Sequence, residues 1–322
     1  MFHKFKIAVL RGGYDREYEM SMKSGGEILK NLSLDKYTVY DVSISKNGAW
    51  YLNGEQISPN SILERVDFVF NSLGCGGDNK NIVRMLESFA IPYSGSNPMA
   101  SSLSASKIIS KRICETEGIK TPYYSTIRRD EYDEKKSHDV FREIIMPCVV
   151  KPSDSGYSVG VHIVSSATEL KEAILNVFEI SDAVLIEELI KGREITCGVI
   201  ENFRGNKNYS LLPLEISTPD EFNFLNHDFK KEGSFDHTTQ ILTREEREKI
   251  QEISWKIHNI LNIRHYSRSD FIFTPKGDIY FLEVNSSPAL HKDSLFIKSL
   301  EAVGSDLPEF LNHLIEFDRD FI

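Results

Sequence analysis

The first 93 residues alternate apolar runs with amphipathic stretches. Apolar runs predict buried strands, and apolar residues spaced three or four apart predict helices. The predicted strands are 7–10, 38–44 and 66–70, and the predicted helices are 21–32 and 79–89. Asn47-Gly48 and Asn53-Gly54 bracket the run 49–52, which predicts a hairpin because Asn-Gly favours tight turns. The alternation predicts a small parallel sheet that ends near Tyr93.

The middle of the chain begins with a long helical pattern. A helix is predicted over 99–117, with Gly118 just past its end, where a left-handed residue is favoured. Strands are predicted at 147–150 and 161–164, on either side of a Gly- and Ser-rich loop at 153–160. Ser166 and Glu169 have the spacing of a capping box, which predicts a helix that continues to about residue 178.

The last part of the chain is richer in strands. They are predicted at 183–188, 194–201, 210–216, 266–273 and 279–284. A polar segment at 217–240 has no clear period, and loops of that length in compact domains are usually functional or mobile. Thr243 and Glu246 form a second capping-box pattern for a helix that runs to residue 261, and two short helices complete the chain. The order of elements predicts an α/β (α+β) protein.

Composition narrows the class of protein. The chain has 322 residues, 40% hydrophobic and 27% charged, which is ordinary for a globular protein. A net charge of −10 argues against nucleic acid as the partner, because phosphate backbones need clustered Lys and Arg. No apolar run approaches the roughly 20 residues of a membrane helix, and no signal peptide is recognisable at the start. Four widely spaced cysteines predict reduced thiols in a cytoplasmic protein, with neither a zinc site nor a disulfide framework.

Two apolar strands near the end of the chain carry acidic residues and flank a Pro/Gly turn. If Lys276-Gly277 is a two-residue loop, Asp270 lies opposite Glu283 and Arg268 lies opposite Asn285. Directly opposite Cβ atoms are roughly 4.5–5.5 Å apart, so the two carboxylates repel unless a cation lies between them. Carboxylate and amide oxygens suit Mg²⁺. The alternative on these residues alone is that Arg268 bridges the two acids as a structural salt bridge.

A strand that ends in Lys151 leads into the loop at 153–160, whose backbone N–H groups could cover phosphates. The loop is not a Walker A sequence, because Gly-Lys-Ser/Thr is missing, and Arg11-Gly12-Gly13 is not a dinucleotide fingerprint. Taken alone, such a loop is structural more often than functional, and Lys107 in the predicted helix is better explained as a solvated lysine. Their weight comes from the distant carboxylates, because ATP chemistry needs both a phosphate cover and a metal.

Four segments together resemble the D-alanine–D-alanine ligase family of the ATP-grasp superfamily. They are residues 8–13 (Ala-Val-Leu-Arg-Gly-Gly) with 17–21 (Glu-Tyr-Glu-Met-Ser); 150–153 (Val-Lys-Pro-Ser) with 156–160 (Gly-Tyr-Ser-Val-Gly); Arg268-Ser269-Asp270; and 282–288 (Leu-Glu-Val-Asn-Ser-Ser-Pro). The similarity spans nearly the whole chain in the family's order. It implies a Rossmann-like N-terminal domain over 1–97, a central ATP-grasp subdomain over 98–182, and a C-terminal subdomain with the metal site and lid over 183–322.

The resemblance also implies an activity: ATP-dependent ligation of two D-alanine molecules through an acyl phosphate, for peptidoglycan synthesis in the cytoplasm. It implies a role for each matching residue. Catalytic roles fall to Glu17, Ser158 and Arg268; ATP binding to Lys107, Lys151, Gly156, Glu187, Glu188, Ile190 and Glu194; substrate binding to Glu17, Ser294, Leu295 and His227; and metal binding to Asp270, Glu283 and Asn285. The metal would be two Mg²⁺, with Mn²⁺ as a substitute, and the family is usually dimeric.

The sequence departs from the family near the amino-acid site. Leu73-Gly74 replaces His-Gly, Asp78-Asn79-Lys80 replaces Glu-Asp-Gly, and Pro288-Ala289 replaces Pro-Gly. The segment 217–265, which includes the lid, contains no tyrosine, and His227 is the candidate substitute for the lid tyrosine. These departures keep two alternatives open. One is a ligase with a different second substrate, D-lactate or another small amino or hydroxy acid, and the other is a non-catalytic nucleotide-binding relative.

Overall fold

The first sheet of the protein contains three parallel strands and a hairpin. The computed structural model describes residues 4–14, 17–74, 79–154, 159–217, 236–238 and 242–319. The strands are β1 (Phe5–Gly12), β2 (Tyr37–Ile44), β3 (Trp50–Leu52), β4 (Glu55–Ile57) and β5 (Phe68–Asn71), in the order β4-β3-β2-β1-β5. β1 runs parallel to both β2 and β5, which confirms the predicted parallel sheet. The predicted hairpin joins β3 to β4, with positive φ at Asn53 and Gly54 as a type I′ turn requires.

The helices of this part are α1 (Tyr18–Asn31), α2 (Pro59–Leu63) and α3 (Asn79–Ser88). Ile28 of α1 packs on Ile7, Val9, Phe68 and Phe70 of the sheet. The same apolar cluster includes residues of the last helix of the chain, so the two ends of the sequence share one core. This packing brings the amino end of α1 next to the end of the third sheet.

The second sheet has four antiparallel strands. They are β6 (Tyr124–Arg128), β7 (Cys148–Pro152), β8 (His162–Val164) and β9 (Ala183–Glu188), in the order β6-β9-β7-β8. The helices of this part are α4 (Pro98–Ala105), α5 (Lys107–Thr116), α6 (Glu134–Glu143) and α7 (Ala167–Phe178). The strand at 183–188 was grouped with the third unit from the sequence, but it pairs with β6 and β7 in the middle of this sheet. Whether 182/183 is a domain boundary therefore stays a prediction.

The single helix predicted over 99–117 is divided into two helices, α4 and α5. The pattern over 99–117 continues through Ser106, yet Ser106 is extended and its side chain caps α5. The reason is a contact distant in sequence: the backbone N–H of Lys107 donates to the carbonyl of Ser153, 2.8 Å away. Lys107 is consequently the first residue of α5 and not a mid-helix lysine. Gly118 ends α5 with φ +76°, as predicted.

The third sheet carries the acidic hairpin. Its strands are β10 (Arg193–Phe203), β11 (Asn206–Ser210), β12 (Leu214–Ser217), β13 (Asp236–Thr238), β14 (Tyr266–Phe273) and β15 (Ile279–Asn285). The path is β13-β12-β10-β14-β15, and β11 pairs with β10. The single strand predicted at 210–216 was wrong, because β11 ends at Ser210 and β12 begins at Leu214, and the two pair with different parts of β10. α8 (Arg244–Ile260) begins with the predicted capping box at Thr243 and Glu246. α9 (Leu295–Ala302) and α10 (Leu307–Arg319) follow.

None of the helices in the described ranges is both long and apolar enough to cross a bilayer. The described cysteines Cys114, Cys148 and Cys197 are buried free thiols, as expected from their spacing. Cys75 lies outside the described residues.

Candidate active site

The acidic hairpin has the predicted register, reached by a different route. Asp270 lies opposite Glu283 and Arg268 opposite Asn285, so these four side chains share one face of the sheet. The loop, however, has three residues and not two: Thr274 pairs with Asp278, and Gly277 has a positive φ. A β-bulge between Asp270 and Phe271 then shifts the register by one residue. The shorter loop assumed from the sequence and the bulge it omitted offset each other.

Asp270 is buried and held from two sides. Thr196 on β10 donates its hydroxyl to Oδ1 at 2.6 Å, and Arg268 donates to both carboxylate oxygens at 3.0 and 2.9 Å. Half of the alternative from the sequence is therefore present, because Arg268 does form a salt bridge with Asp270. Glu283, in contrast, is paired with Lys107, whose Nζ is 3.1 Å from Oε2. Each of the two facing acids thus has a cation beside it.

Two lysines, Lys111 and Lys151, surround one buried carboxylate. Lys151, at the end of β7, places Nζ 2.5 Å from Glu187 Oε2, and Lys111 of α5 places Nζ 2.7 Å from Oε1. Glu187 and Lys111 are almost fully buried, with 3% and 0% of their side chains exposed. Lys111 also donates to the carbonyl of Phe281 at 3.0 Å.

Burial and charge compete in this cluster. Burial lowers the pKa of Lys111 to about 8, against the raising effect of the Glu187 charge. Burial works to raise the pKa of Glu187, but the two neighbouring lysines outweigh it and hold that pKa below its usual value. Glu187 is therefore ionised at neutral pH, and the cluster of two lysines and one carboxylate has excess positive charge that an anion can neutralise.

Two site assignments change with this geometry. Glu187 was grouped with the adenosine-binding residues from the sequence, but the structure directs its carboxylate toward Lys111 and Lys151. Lys111 was not predicted at all. Its position four residues after Lys107 was the available signal, because residues i and i+4 of a helix lie on the same face.

The other adenosine candidates lie where the chain passes from the second sheet to the third. Glu188 ends β9, and its carboxylate accepts the backbone N–H of Tyr123 at 2.9 Å. Ile190 is half-buried in the segment that connects β9 to β10, and Glu194 is the second residue of β10. The three residues border the same crossover.

One of the amino-acid candidates, Glu17, lines a cleft at the amino end of α1. Glu17 precedes α1, and the cleft is closed by the segment after β15, which contains Ser287, Pro288 and Ala289. Gly74 also lines it, and a Cβ built on Gly74 would lie 1.8 Å from Glu17 Oε2, so glycine lets the carboxylate occupy this place. Ser294 and Leu295 begin α9, and the Ser294 hydroxyl caps that helix by accepting from Ile297 N–H. Gly156, Ser158 and His227 lie outside the described residues.

Leu73 does not face this cleft. It is 1% exposed and belongs to an apolar cluster with Ile82, Val83 and Leu86 of α3. Where the resembling family has histidine, this chain has a side chain directed into the core.

The donor set of the hairpin fits a hard divalent cation. Asp270, Glu283 and Asn285 offer only oxygen ligands, and Asn285 Oδ1 is already oriented by accepting the N–H of Ser287 at 2.9 Å. Within the described ranges, no group of three His, Cys, Asp or Glu side chains could form a metal site by itself. The set is therefore two carboxylates and an amide, which is the kind of site that Mg²⁺ completes with water and substrate phosphates.

Comparisons with known proteins agree with this arrangement. The family model described as D-ala D-ala ligase C-terminus matches residues 113–316, well over half of the chain. The chain belongs to the D-alanine–D-alanine ligase family. Its α/β ATP-grasp fold, expected from the sequence, is confirmed by the structures of that family.

Relatives of the family match over nearly their whole length. The D-alanine–D-alanine ligase of Carboxydothermus hydrogenoformans is 33% identical, over 96% of this chain and 97% of that protein. That of Clostridium beijerinckii is 31% identical over 97% of each. The structure of the D-alanine–D-alanine ligase from Bacillus anthracis complexed with ATP has a TM-score of 0.79 at 30% identity, covering 97% and 96% of the two chains. The VanG D-Ala:D-Ser ligase from Enterococcus faecalis, at 24% identity and a TM-score of 0.82, shares the fold.

Proposed function

We propose that the protein uses ATP to join two D-alanine molecules, giving D-Ala-D-Ala, ADP and phosphate for peptidoglycan synthesis. The observation that carries the proposal is the ion pair between Lys107 and Glu283. It joins α5, the helix that also carries Lys111, to the acidic hairpin of the third sheet, which supports a single site for a nucleotide and its metal. The family supplies the substrates, because the relatives that match the whole chain are D-alanine–D-alanine ligases.

The chemistry follows from the weak reactivity of a carboxylate. Transfer of the γ-phosphoryl group of ATP to the first D-alanine makes an acyl phosphate. A bond forms between a carboxylate oxygen and the γ-phosphorus, and the bond between that phosphorus and the departing ADP oxygen breaks. The neutral amine of the second D-alanine then attacks the acyl carbon, and phosphate leaves. Lys107 and Lys151 offset charge on the phosphates, and Arg268, oriented by Asp270, stabilises the anionic intermediate.

A divalent cation, which we propose to be Mg²⁺, would be held by Asp270, Glu283 and Asn285. When bound there, it would neutralise phosphate charge at the transferring group. Two of the three residues are already held in place: Thr196 donates a hydrogen bond to Asp270, and the N–H of Ser287 donates one to Asn285.

The amino-acid half of the proposal rests on the cleft at α1. We propose that Glu17 binds the amine of the first D-alanine, and that Ser294 and Leu295 contact the second. Roles for Ser158, Gly156 and His227 in closing the site stay predictions, as do adenosine contacts from Glu188, Ile190 and Glu194.

An activity assay tests the proposal directly. The protein is incubated with ATP, Mg²⁺ and D-alanine, and both phosphate release and D-Ala-D-Ala are measured. Equal amounts of phosphate and dipeptide are expected, because one ATP is consumed for each bond. Nucleotide binding without any turnover would favour the non-catalytic relative.

The metal assignment has its own test with a matched control. Asp270→Asn and Glu283→Gln should each abolish turnover with Mg²⁺ while the far-ultraviolet spectrum stays native. Asp278→Asn removes an acid from the same hairpin, where its carboxylate pairs with the exposed Lys120, and should leave activity intact. Activity retained in both site variants contradicts the metal role.

A second candidate is a ligase that couples D-alanine to D-lactate or another small acid or amine. The segment 217–265, which includes the lid, motivates it, because this segment contains no tyrosine and offers His227 as the candidate substitute. A ligation product, an ester with D-lactate or an amide with another amino acid, that is absent with D-alanine alone but present when the second substrate is added would decide for this candidate. A cytoplasmic location, a homodimer and the division into three domains also stay predictions.

A further inference from the structure

Lys111 is a buried lysine that the roles above do not use. Its side chain is fully buried on α5, four residues after Lys107 and on the same face of the helix. A lysine in such a place costs free energy unless it is paired and hydrogen-bonded. Lys111 meets both conditions, with Glu187 Oε1 at 2.7 Å and the Phe281 carbonyl at 3.0 Å.

These two contacts lie on different sheets. Glu187 belongs to β9 of the second sheet, whereas Phe281 belongs to β15 of the third, two residues before Glu283. One ammonium group therefore connects the sheet that carries Lys151 with the strand that carries the acidic residues. Lys107 makes a parallel connection from the same helix through Glu283.

Because Lys111 pairs with one carboxylate oxygen of Glu187, only the other oxygen is left for Lys151. With Oε1 taken by Lys111, the other oxygen, Oε2, is directed at Lys151, 2.5 Å away. Without Lys111, the Glu187 side chain could turn both oxygens toward Lys151, and the amine of Lys151 would follow it.

We infer that Lys111 is a positioning residue for nucleotide binding: through Glu187 it holds the Lys151 amine where the ATP phosphates bind, and through Phe281 it fixes that amine relative to the acidic hairpin. The inference rests on the proposed function, in which Lys151 contacts the phosphates. The charge of the cluster agrees with it, because two lysines around one buried carboxylate leave a positive charge for an anionic ligand to neutralise.

Lys111→Met tests the inference. Methionine is unbranched and of similar length, and its substitution leaves Glu187 paired one-to-one with Lys151, so the variant should fold. Binding of ATP and of adenosine is measured by calorimetry on the full chain. ATP should bind about 10- to 100-fold more weakly, the loss typical for a hydrogen bond to a charged group, while adenosine, which lacks phosphates, should change by less than about twofold.

The Lys151→Met background separates positioning from general structural support. If Lys111 acts through Lys151, adding Lys111→Met to Lys151→Met should weaken ATP binding little further. Lys120→Met is the matched control, because Lys120 also pairs with the hairpin, at Asp278, but on its exposed end. Lys111→Gln replaces the methionine variant if the latter melts at a lower temperature.

Three results would overturn the inference: unchanged ATP affinity in the Lys111 variants, parallel losses for ATP and adenosine, or full additivity with Lys151→Met. In each of these cases wild-type protein still binds ATP and the proposed function stands. Wild-type protein that binds no ATP would overturn both.

Discussion

Gly74→Ala perturbs the amino-acid site by one methyl group. The new Cβ would lie 1.8 Å from Glu17 Oε2, 2.8 Å from its Cδ and 3.3 Å from its Cβ. Non-bonded Cβ contacts below 3.0 Å essentially do not occur, so the carboxylate must move by more than about 1 Å. The backbone of Gly74 has no left-handed φ, so alanine itself introduces no strain there.

The cost should appear in function and not in folding. The displaced atoms are the far end of a flexible side chain, and a rotamer change costs on the order of 1 kcal/mol. A misplacement of about 1 Å in a substrate-positioning group, in contrast, costs on the order of 100-fold in rate. We therefore expect kcat/KM for D-alanine to fall about 100-fold, while the KM for ATP changes less than about twofold.

Steady-state kinetics with each substrate varied in turn, together with thermal unfolding, measure these quantities. Gly26→Ala is the control, because a Cβ there meets nothing within 4 Å and the residue lies inside α1, which Glu17 precedes. It should leave the kinetics unchanged and stabilise the protein by roughly 0.5–1 kcal/mol, the helix propensity difference. A Gly74→Ala enzyme with wild-type kcat/KM for D-alanine, or with equal losses for both substrates, would refute the role given to Glu17.

Three further outcomes follow from the structure. Thr243→Ala removes the hydroxyl that accepts the N–H of Glu246 at the start of α8 and should lower the free energy of unfolding by about 1 kcal/mol in urea titrations, while Thr243→Ser should not; equal stabilities would contradict the capping role. Burial raises the pKa of Cys114 and Cys197 to about 12, so peptide mapping after iodoacetamide treatment at pH 8 should find both unmodified in native protein and modified after unfolding. Burial lowers the pKa of His162, His291 and His313 below 6.5, so below that pH the unfolded chain binds more protons than the native one; the melting temperature should fall as pH drops from 7.5 to 5.5, and an increase would contradict the shift.

Local chemistry determined much of the fold from the sequence alone. The turn at Asn53-Gly54, the left-handed Gly118 and the capping box at Thr243 are each specified by residues within a few positions of one another. The strand β14 was also predicted from its apolar run, whereas the pairing of Asp270 with Glu283 was reached from an assumed two-residue loop, whose error the β-bulge offsets. The family was recognisable because its motifs are short and local.

Contacts between distant residues decided the rest. Ser106 interrupts a helical pattern because Ser153, 47 positions later in the chain, accepts the hydrogen bond of Lys107. Whether Glu187 serves adenosine or the phosphates depends on which lysines reach it, and Lys111 reaches it from a helix more than 70 residues earlier. The side chain of Leu73 likewise takes its direction from the apolar surface of α3. The pattern of residues in a segment shows which secondary structure it prefers. The residue that pairs with a buried charge, or that hydrogen-bonds to an interrupted helix, is determined only when distant segments pack together.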